Sequence, residues 1–284
     1  INLTTGSDTV NTGSGDDTIN IAIDNLDSAD TINGGDGNDS LNFSTSGTLT
    51  SADVSNISAV ENLNFHGGDD VFSFTNETDF ASTMARFGSI NGGAGVNSID
   101  FSSAVTGDLD FSKLTEFENL NLSSVSDNLI ISGDEPTNIN GLGGDDQFTL
   151  DFSKVSSFKI DGGAGSDTVK INGSYDLAND TNFATNDRFS NIETLDISGM
   201  TLTSNNDSEF TFTDGLLSAW TSGTNLNLKL NSSQAEFIKF TGDKTGDTPD
   251  AGSVTWDNDG ANSISEGTYS LGTKTLTIDF IDVP

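Results

Sequence analysis

The chain has 284 residues, 44 Asp and Glu against 10 Lys and Arg, a formal net charge of −34, one His and no Cys. Such acidity excludes phosphate-driven nucleic-acid binding, and the lack of Cys excludes a disulfide framework, a thiol nucleophile and a zinc–thiolate site. A single His argues against a multi-His metal centre or a Ser-His-Asp triad, and no run approaches the roughly 18 apolar residues of a membrane span.

Along the chain, one frame returns first. Residues 3–11 (LTTGSDTVN) and 12–20 (TGSGDDTIN) are in tandem, followed by 25–33 (NLDSADTIN) and 34–42 (GGDGNDSLN). Later copies are 92–100 (GGAGVNSID) and 162–170 (GGAGSDTVK), with shorter echoes at 67–72 (GGDDVF) and 143–148 (GGDDQF). The shared frame is G-G-x-G-x-D-x-U-x, where U is a large apolar residue. Glycines admit left-handed and closely approaching backbone, and a turn built from them can aim its carbonyls inward. The Asp ends the turn, and the following x-U-x is a short strand that buries one side chain: Val10, Ile19, Leu41, Ile99 and Val169. A second repeat interleaves: AVENLNF (59–65), EFENLNL (116–122) and NIETLDI (191–197) place Glu61, Glu118 and Glu193 ahead of half-buried strands. Residues 78–87 and 213–220 read as short helical turns behind Thr or Asp caps, and 101–114 as further rungs. From about residue 205 the glycine frame stops. Alternating strands follow at 209–213, 225–230, 236–240, 253–256 and 274–280, separated by acidic turns such as 242–247 and 257–260.

The expected fold is all-β. It is a right-handed parallel β-solenoid or β-roll with irregular insertions over 1–204, then a C-terminal β-rich cap or small β-sandwich-like domain over 205–284. A solenoid end is an open sheet edge, which gives a cap its physical reason.

Charge adds a constraint. A compact body at −34 repels itself, and 32% hydrophobic residues is low for a folded domain, although 19 Phe argue against disorder. Only nine of the 44 acids are Glu. Asp suits turns and holds its carboxylate near the backbone, and hard cations take several carboxylate and carbonyl oxygens. Calcium is therefore expected; the alternative is the generic acidic surface of a secreted or halophilic protein.

Residues 1–200 resemble the RTX calcium-binding proteins of Gram-negative bacteria, whose nonapeptide has this frame. The E-N-L-x-F strands, with SVTWDNDG (253–260) and GTYSLGTKTLTIDFIDV (267–283), are similar to RTX-type surface-layer proteins and very large RTX adhesins. The resemblance implies several Ca2+ ions between stacked turns. Its sixth-position ligands fall on Asp8, Asp17, Asp39, Asp70, Asp146 and Asp167, with Asp30 in the same phase and Asn97 as a weaker, uncharged member. Its carbonyl ligands fall on Thr12, Ser14, Gly34, Asp36, Gly162 and Ala164. The adjacent acids Asp16, Asp69 and Asp145 either complete shells or face solvent. Only 3–20 and 25–42 hold consecutive nonads, parted by the insertion 21–24, so the ligands completing the later turns are left open.

The function implied is a non-enzymatic structural calcium-binding segment of a secreted bacterial cell-surface protein. It would be exported by type I secretion and would fold or assemble on calcium outside the cell, with neighbouring copies in a surface lattice or a cell-surface glycan as partners. The alternative is a calcium-dependent carbohydrate-binding or accessory module of a secreted RTX enzyme. The sequence opens within a repeat, as a piece of a longer chain would, and shows no signal segment. Neither H-E-x-x-H nor G-x-S-x-G occurs. His66 reads as a turn residue, and Trp220 and Trp256 as core or cap. The run 257–260 resembles the start of an EF-hand loop but lacks a Glu at position 268. The pairs Asp108/Asp110 and Glu116/Glu118 have a glycosidase-like spacing that so acidic a chain produces by chance.

Overall fold

The computed structural model describes residues 3–131, 136–151, 158–176, 188–203, 210–231, 233–234, 238–244, 254–256 and 264–281. The chain is mostly β, with parallel strands stacked into a β-solenoid. No helix among the described residues is long and apolar enough to cross a membrane. Two compact units are present: Ile1–Ser124 with Gly133–Asn140, and Val125–Ser132 with Gly141–Pro284.

The first unit winds through three parallel sheets. One stacks Thr9–Asn11, Thr31–Asn33 and Ile57–Ser58. The second stacks Thr18–Ile21, Ser40–Phe43, Asn62–Asn64, Ser89–Asn91 and Leu114–Thr115. The third stacks Thr48–Thr50, Val71–Phe74, Ser98–Phe101, Asn119–Asn121 and Asn138–Asn140. Strands of three or four residues with alternating side chains send every second residue inward. Register then turns the sequence frame into apolar columns: Ile19, Leu41, Leu63 and Ile90 in one sheet and Leu49, Phe72, Ile99 and Leu120 in another, all fully buried. The outward positions form polar ladders. Asn64 Nδ2 donates to Asn42 Oδ1 (2.8 Å), Asn42 Nδ2 to Asn20 Oδ1 (3.2 Å), and Asn140 Nδ2 to Asn121 Oδ1 (2.6 Å).

Phenylalanines thicken this narrow core. Phe65 meets Phe43, Phe72 and Phe117 at ring-centroid distances of 5.4, 5.5 and 5.6 Å. Phe74 meets Phe72 at 4.5 Å and Phe80 at 5.0 Å, within the range of favourable aromatic pairs. Phe80 belongs to the helix Glu77–Met84, the short helical turn expected over 78–87. Its cap is Asn76, whose side chain accepts from the Asp79 N–H, two residues before the Thr expected in that role. The insertion at 21–24 leads into a 3-10 turn, Ile23–Asn25, that buries Ile23.

The second unit is built on one long sheet. Asn128–Ile131, Gln147–Asp151, Thr168–Asp176, Thr194–Thr203, Asn225–Leu230 and Lys274–Phe280 run parallel. Leu129, Phe148, Val169, Leu195, Leu228 and Ile278 stack along its buried face. The change of character expected at 205 falls inside this unit: Asn225–Leu230 and Lys274–Phe280 continue the solenoid sheet. Gly267–Leu271 then turns it antiparallel, followed by Ile238–Lys244, on which Val254–Trp256 is antiparallel and Phe210–Phe212 parallel. The helix Asp214–Trp220 starts at Thr213, whose hydroxyl accepts from the Leu216 N–H, as expected. Residues 245–247 of one acidic turn, and the whole of the other at 257–260, lie outside the described residues.

Because each inward side chain touches the rungs before and after it, removing one large ring opens a cavity that short strands cannot close. Phe72→Ala is expected to lower unfolding stability by about 3–5 kcal/mol, whereas Val96→Ala, at a position 56% exposed, stays within about 0.5 kcal/mol. Urea unfolding of the two variants in one calcium-containing buffer checks this, and equal midpoints would contradict the register described.

Candidate functional site

Beyond the first copies, which end at Asp8 and Asp17, the residue that ends each turn does the same thing. Its side chain reaches along the stack and accepts the main-chain N–H of the equivalent residue one rung earlier. Asp39 Oδ1 accepts from Asp17 N (2.7 Å), and Glu61 Oε2 from Asp39 N (2.7 Å). In a second column Asp70 Oδ1 accepts from Gly47 N (2.7 Å), Asn97 Oδ1 from Asp70 N (3.0 Å) and Glu118 Oε2 from Asn97 N (2.7 Å). The second unit repeats it: Asp146 Oδ1 accepts from Asp127 N (2.8 Å), Asp167 Oδ1 from Asp146 N (2.8 Å) and Glu193 Oε2 from Asp167 N (2.9 Å). A shorter ladder links Asp8 N to Asp30 Oδ1 (2.8 Å).

The two repeats seen in the sequence are therefore one. Glu61, Glu118 and Glu193 occupy the position of the sixth-position Asp, and each closes a column. Alignment on the acid-x-U-x-U strand, instead of on the glycines, would have found them. The same alignment finds Asp127, which is buried and sits in a serine-rich turn with no Gly. The copy whose sixth position is Asp146 begins at Gly141 and has Leu142, at φ +67°, in second place, where the turns 12–17, 34–39, 92–97 and 162–167 carry Gly.

One oxygen of these acids holds the rungs together; the other is the unusual atom. Oδ2 of Asp17, Asp39, Asp70, Asp146 and Asp167 is buried with no hydrogen-bond donor. At Asp39, Asp146 and Asp167 a main-chain oxygen faces it. A Cβ at Gly34 would lie 2.6 Å from Asp39 Oδ2 and still nearer the Ala59 carbonyl oxygen. At Gly162 it would lie 2.7 Å from Asp167 Oδ2, with the Asn191 carbonyl oxygen nearer still. At Gly141 it would run into Asp146 Oδ2 and the Gly162 carbonyl oxygen. Glycine at these positions leaves a cradle in which a carboxylate oxygen and a carbonyl oxygen converge. Ala59 and Asn191 reach that orientation only with left-handed backbone, φ +49° and +52°, which costs a non-glycine residue about 1 kcal/mol or more.

The other expected ligands sort by their surroundings. Asp30 has both oxygens engaged, Oδ1 by Asp8 N and Oδ2 by Asp27 N (2.9 Å), and Asp8 Oδ2 accepts from Thr4 N (2.7 Å) and the Thr4 hydroxyl (3.0 Å). Thr12 sits where Gly34 sits one rung on, and its hydroxyl donates to the Gly34 carbonyl (2.5 Å). Ser14 pairs with Asp36 in an isolated bridge, and the Asp36 and Ala164 carbonyls accept from Gly15 N (2.7 Å) and Gly144 N (2.9 Å). Asp16, Asp69 and Asp145 are exposed and make an outer ladder to Asn38 N, Val96 N and Ser166 N, each at 2.9 Å. His66 is exposed, with Nδ1 3.4 Å from Ser46 Oγ. Glu118 is spent on the column, and the Ser112 side chain and N–H hold the Asp110 carboxyl below its ordinary value, whereas a glycosidase general acid needs a raised one. Position 268, where an EF-hand Glu would stand, lies in the strand Gly267–Leu271, and 257–260 lies outside the described residues.

Among the described residues no three His, Cys, Asp or Glu side chains converge. The cradles combine one carboxylate with main-chain carbonyls, an all-oxygen donor set that suits a hard cation and not zinc. Calcium fits it: irregular, flexible oxygen shells are tolerated by Ca2+, whereas Mg2+ demands near-octahedral geometry. Compared with protein-family models, curated proteins and solved structures, the chain finds no match.

Burial without a donor shows in the acid–base chemistry. The Asp146 carboxyl is pushed up to about 7, first by desolvation and then by the charges of Asp127, Asp167 and Asp145, against the N–H of Asp127. Asp70 and Asp167 are raised for the same first reason. A raised native value means that the folded chain binds more protons than the unfolded one between pH 4 and 7. Stability of the metal-free protein therefore falls as pH rises through that window. Unfolding in EDTA is expected to show higher stability at pH 5 than at pH 7.5, with a shallower slope in Asp146→Asn; identical slopes would contradict the buried-acid geometry. Separately, Glu118→Ala leaves the Asn97 N–H without its acceptor. A loss of about 1–3 kcal/mol is expected, with faster hydrogen exchange at that amide.

Proposed function

We propose that the chain is a calcium-folded structural segment of a secreted bacterial cell-surface protein of the RTX type. The observation that carries this reading is the set of buried Asp Oδ2 atoms without donors, three of which face a main-chain carbonyl oxygen across a glycine cradle. Leaving a carboxylate oxygen buried and unpaired is costly, and five such atoms in one chain at −34 make a cation the missing counterpart. Bound calcium would take Asp39 Oδ2, Asp146 Oδ2 and Asp167 Oδ2 with the carbonyls of Ala59, Gly162 and Asn191. Asp17 and Asp70 would contribute in the same way. The protein supplies spacing: the Oδ1 bonds set the rung separation, and the cradle glycines keep the carbonyls close.

The RTX-like frame supports the family, and the family supports export by type I secretion and a surface location. Low calcium inside the cell and high calcium outside would then delay folding until export, because binding free energy to the native state alone is folding free energy. Self-repulsion holds the chain open until that point. No enzymatic role is proposed; the carboxylates that recur in the sequence are used in the columns. Surface-layer contacts and glycan binding are the partner chemistries that this reading admits.

Circular dichroism and thermal melting in EDTA, then with calcium and with magnesium, test the proposal. Calcium at about 100 times a site's Kd adds about 2.7 kcal/mol for that site, so several sites give a large rise in melting temperature. Magnesium is expected to give little. Asp167→Ala is expected to lose part of the calcium-induced rise. Equal stability in EDTA and calcium, with no bound ion by equilibrium dialysis, would overturn the proposal.

A further inference from the structure

We infer that the turn 92–97 closes without a cation, because the Asn97 side-chain amide fills the place that calcium takes in the Asp-ended turns. The inference rests on the calcium reading and adds a division of labour among the turns.

The turns 34–39, 92–97 and 162–167 superimpose in their chemistry. Each opens with a cradle glycine, ends in a fully buried sixth-position side chain, and is covered by a left-handed residue of the next rung: Ala59 at φ +49°, Glu116 at +60° and Asn191 at +52°. In each, an ideal Cβ on the glycine would meet the same two atoms. These are the carbonyl oxygen of the left-handed residue and the outer atom of the sixth side chain, which lies 2.6 Å away for Asp39 Oδ2, 2.7 Å for Asp167 Oδ2 and 2.9 Å for Asn97 Nδ2. Only the element differs. Where Asp39 and Asp167 present a donorless oxygen to a carbonyl oxygen, Asn97 presents a nitrogen with two hydrogens. Both are used: Nδ2 donates to the Glu116 carbonyl (2.9 Å) and to the Gly93 carbonyl (3.1 Å). Its Oδ1 meanwhile keeps the column bond to Asp70 N (3.0 Å).

A carbonyl that converges with an Asp oxygen needs a positive centre between them; the carbonyl converging on the Asn97 NH2 is already paired, and the Gly93 carbonyl with it. A cation at 92–97 would have to displace both hydrogen bonds, and it would gain no carboxylate. The Asn therefore removes an ion site and gives a turn that is complete when calcium is absent. It sits between Asp70 and Glu118, in the middle of its column.

Exchanging the two residue types tests this. Asn97→Asp is expected to bind one more Ca2+ per chain than the wild type in equilibrium dialysis, and to melt lower in EDTA. Asp39→Asn is expected to bind one fewer and to melt higher in EDTA, while Asp39→Ala also binds one fewer but melts no higher in EDTA than the wild type. If Asn97→Asp fails to fold in calcium, the Asp39→Asn pair of readings decides. A wild type that binds calcium, with either exchange leaving the ion count unchanged, overturns this inference alone. A wild type that binds none overturns the calcium reading, and this inference with it.

Discussion

The structure depends on a side-chain carboxylate that accepts a main-chain N–H from the rung before it. In a parallel solenoid the strands hydrogen-bond through their own backbones, and the corners do so only in part. At those corners the donors of Asp17, Asp39, Asp70, Asn97, Asp146 and Asp167 would be left without strand acceptors. The next acid or amide in the column takes each: Asp39, Glu61, Asn97, Glu118, Asp167 and Glu193. A carboxylate has two oxygens, and the corner supplies one donor. Everything distinctive about the site follows from the second oxygen, buried opposite carbonyls that the glycine cradle brings near. Strong structural bonding and a need for positive charge are thus properties of the same residue.

Much of this was legible in the sequence. Strict alternation in TINI, SLNF and SIDF is enough to bury Ile19, Leu41 and Ile99, because a four-residue strand has only one face to hide. The low apolar fraction is also explained: inward positions alternate with outward ones filled by Asn, Ser and Thr, so a solenoid needs little apolar content to form a continuous core. What stayed hidden was hidden for physical reasons. Glycine advertises the turns, and Asp127 stands in a turn of Ser and Val that has none. Leu142 carries a left-handed backbone that its identity does not suggest, although Asp146 at the sixth position phases the turn as 141–146. Asp8 and Asp30 share the motif but have their outer oxygens taken by Thr4 and Asp27, contacts between residues that no repeat marks.

The length of the turn explains which acid is used. Between paired strands the turns 34–39, 92–97 and 162–167 have six residues, and the turns stacked on them, 59–61, 116–118 and 191–193, have three. A six-residue turn has slack enough to bring its last Cα close to the amide below, and the short side chain of Asp or Asn suffices. A three-residue turn cuts the corner. Its first residue is forced left-handed, and its last residue needs one more methylene to reach the same amide, which is what Glu provides.

The same left-handed residue makes the short turn useful to its neighbour. With φ positive, its carbonyl swings out of the strand direction and over the cradle glycine of the rung before. The strain at Ala59 and Asn191 is therefore coupled to the oxygen pair at Asp39 and Asp167: a relaxed backbone would withdraw the carbonyl and leave a lone carboxylate. At Glu116 the strain brings a carbonyl to an amide donor instead, and no net charge is buried there. One backbone device, a three-residue turn ending in Glu, thus serves either an Asp carboxylate oxygen or a side-chain amide. Which of the two it serves is decided by a single atom at the sixth position of the turn it covers.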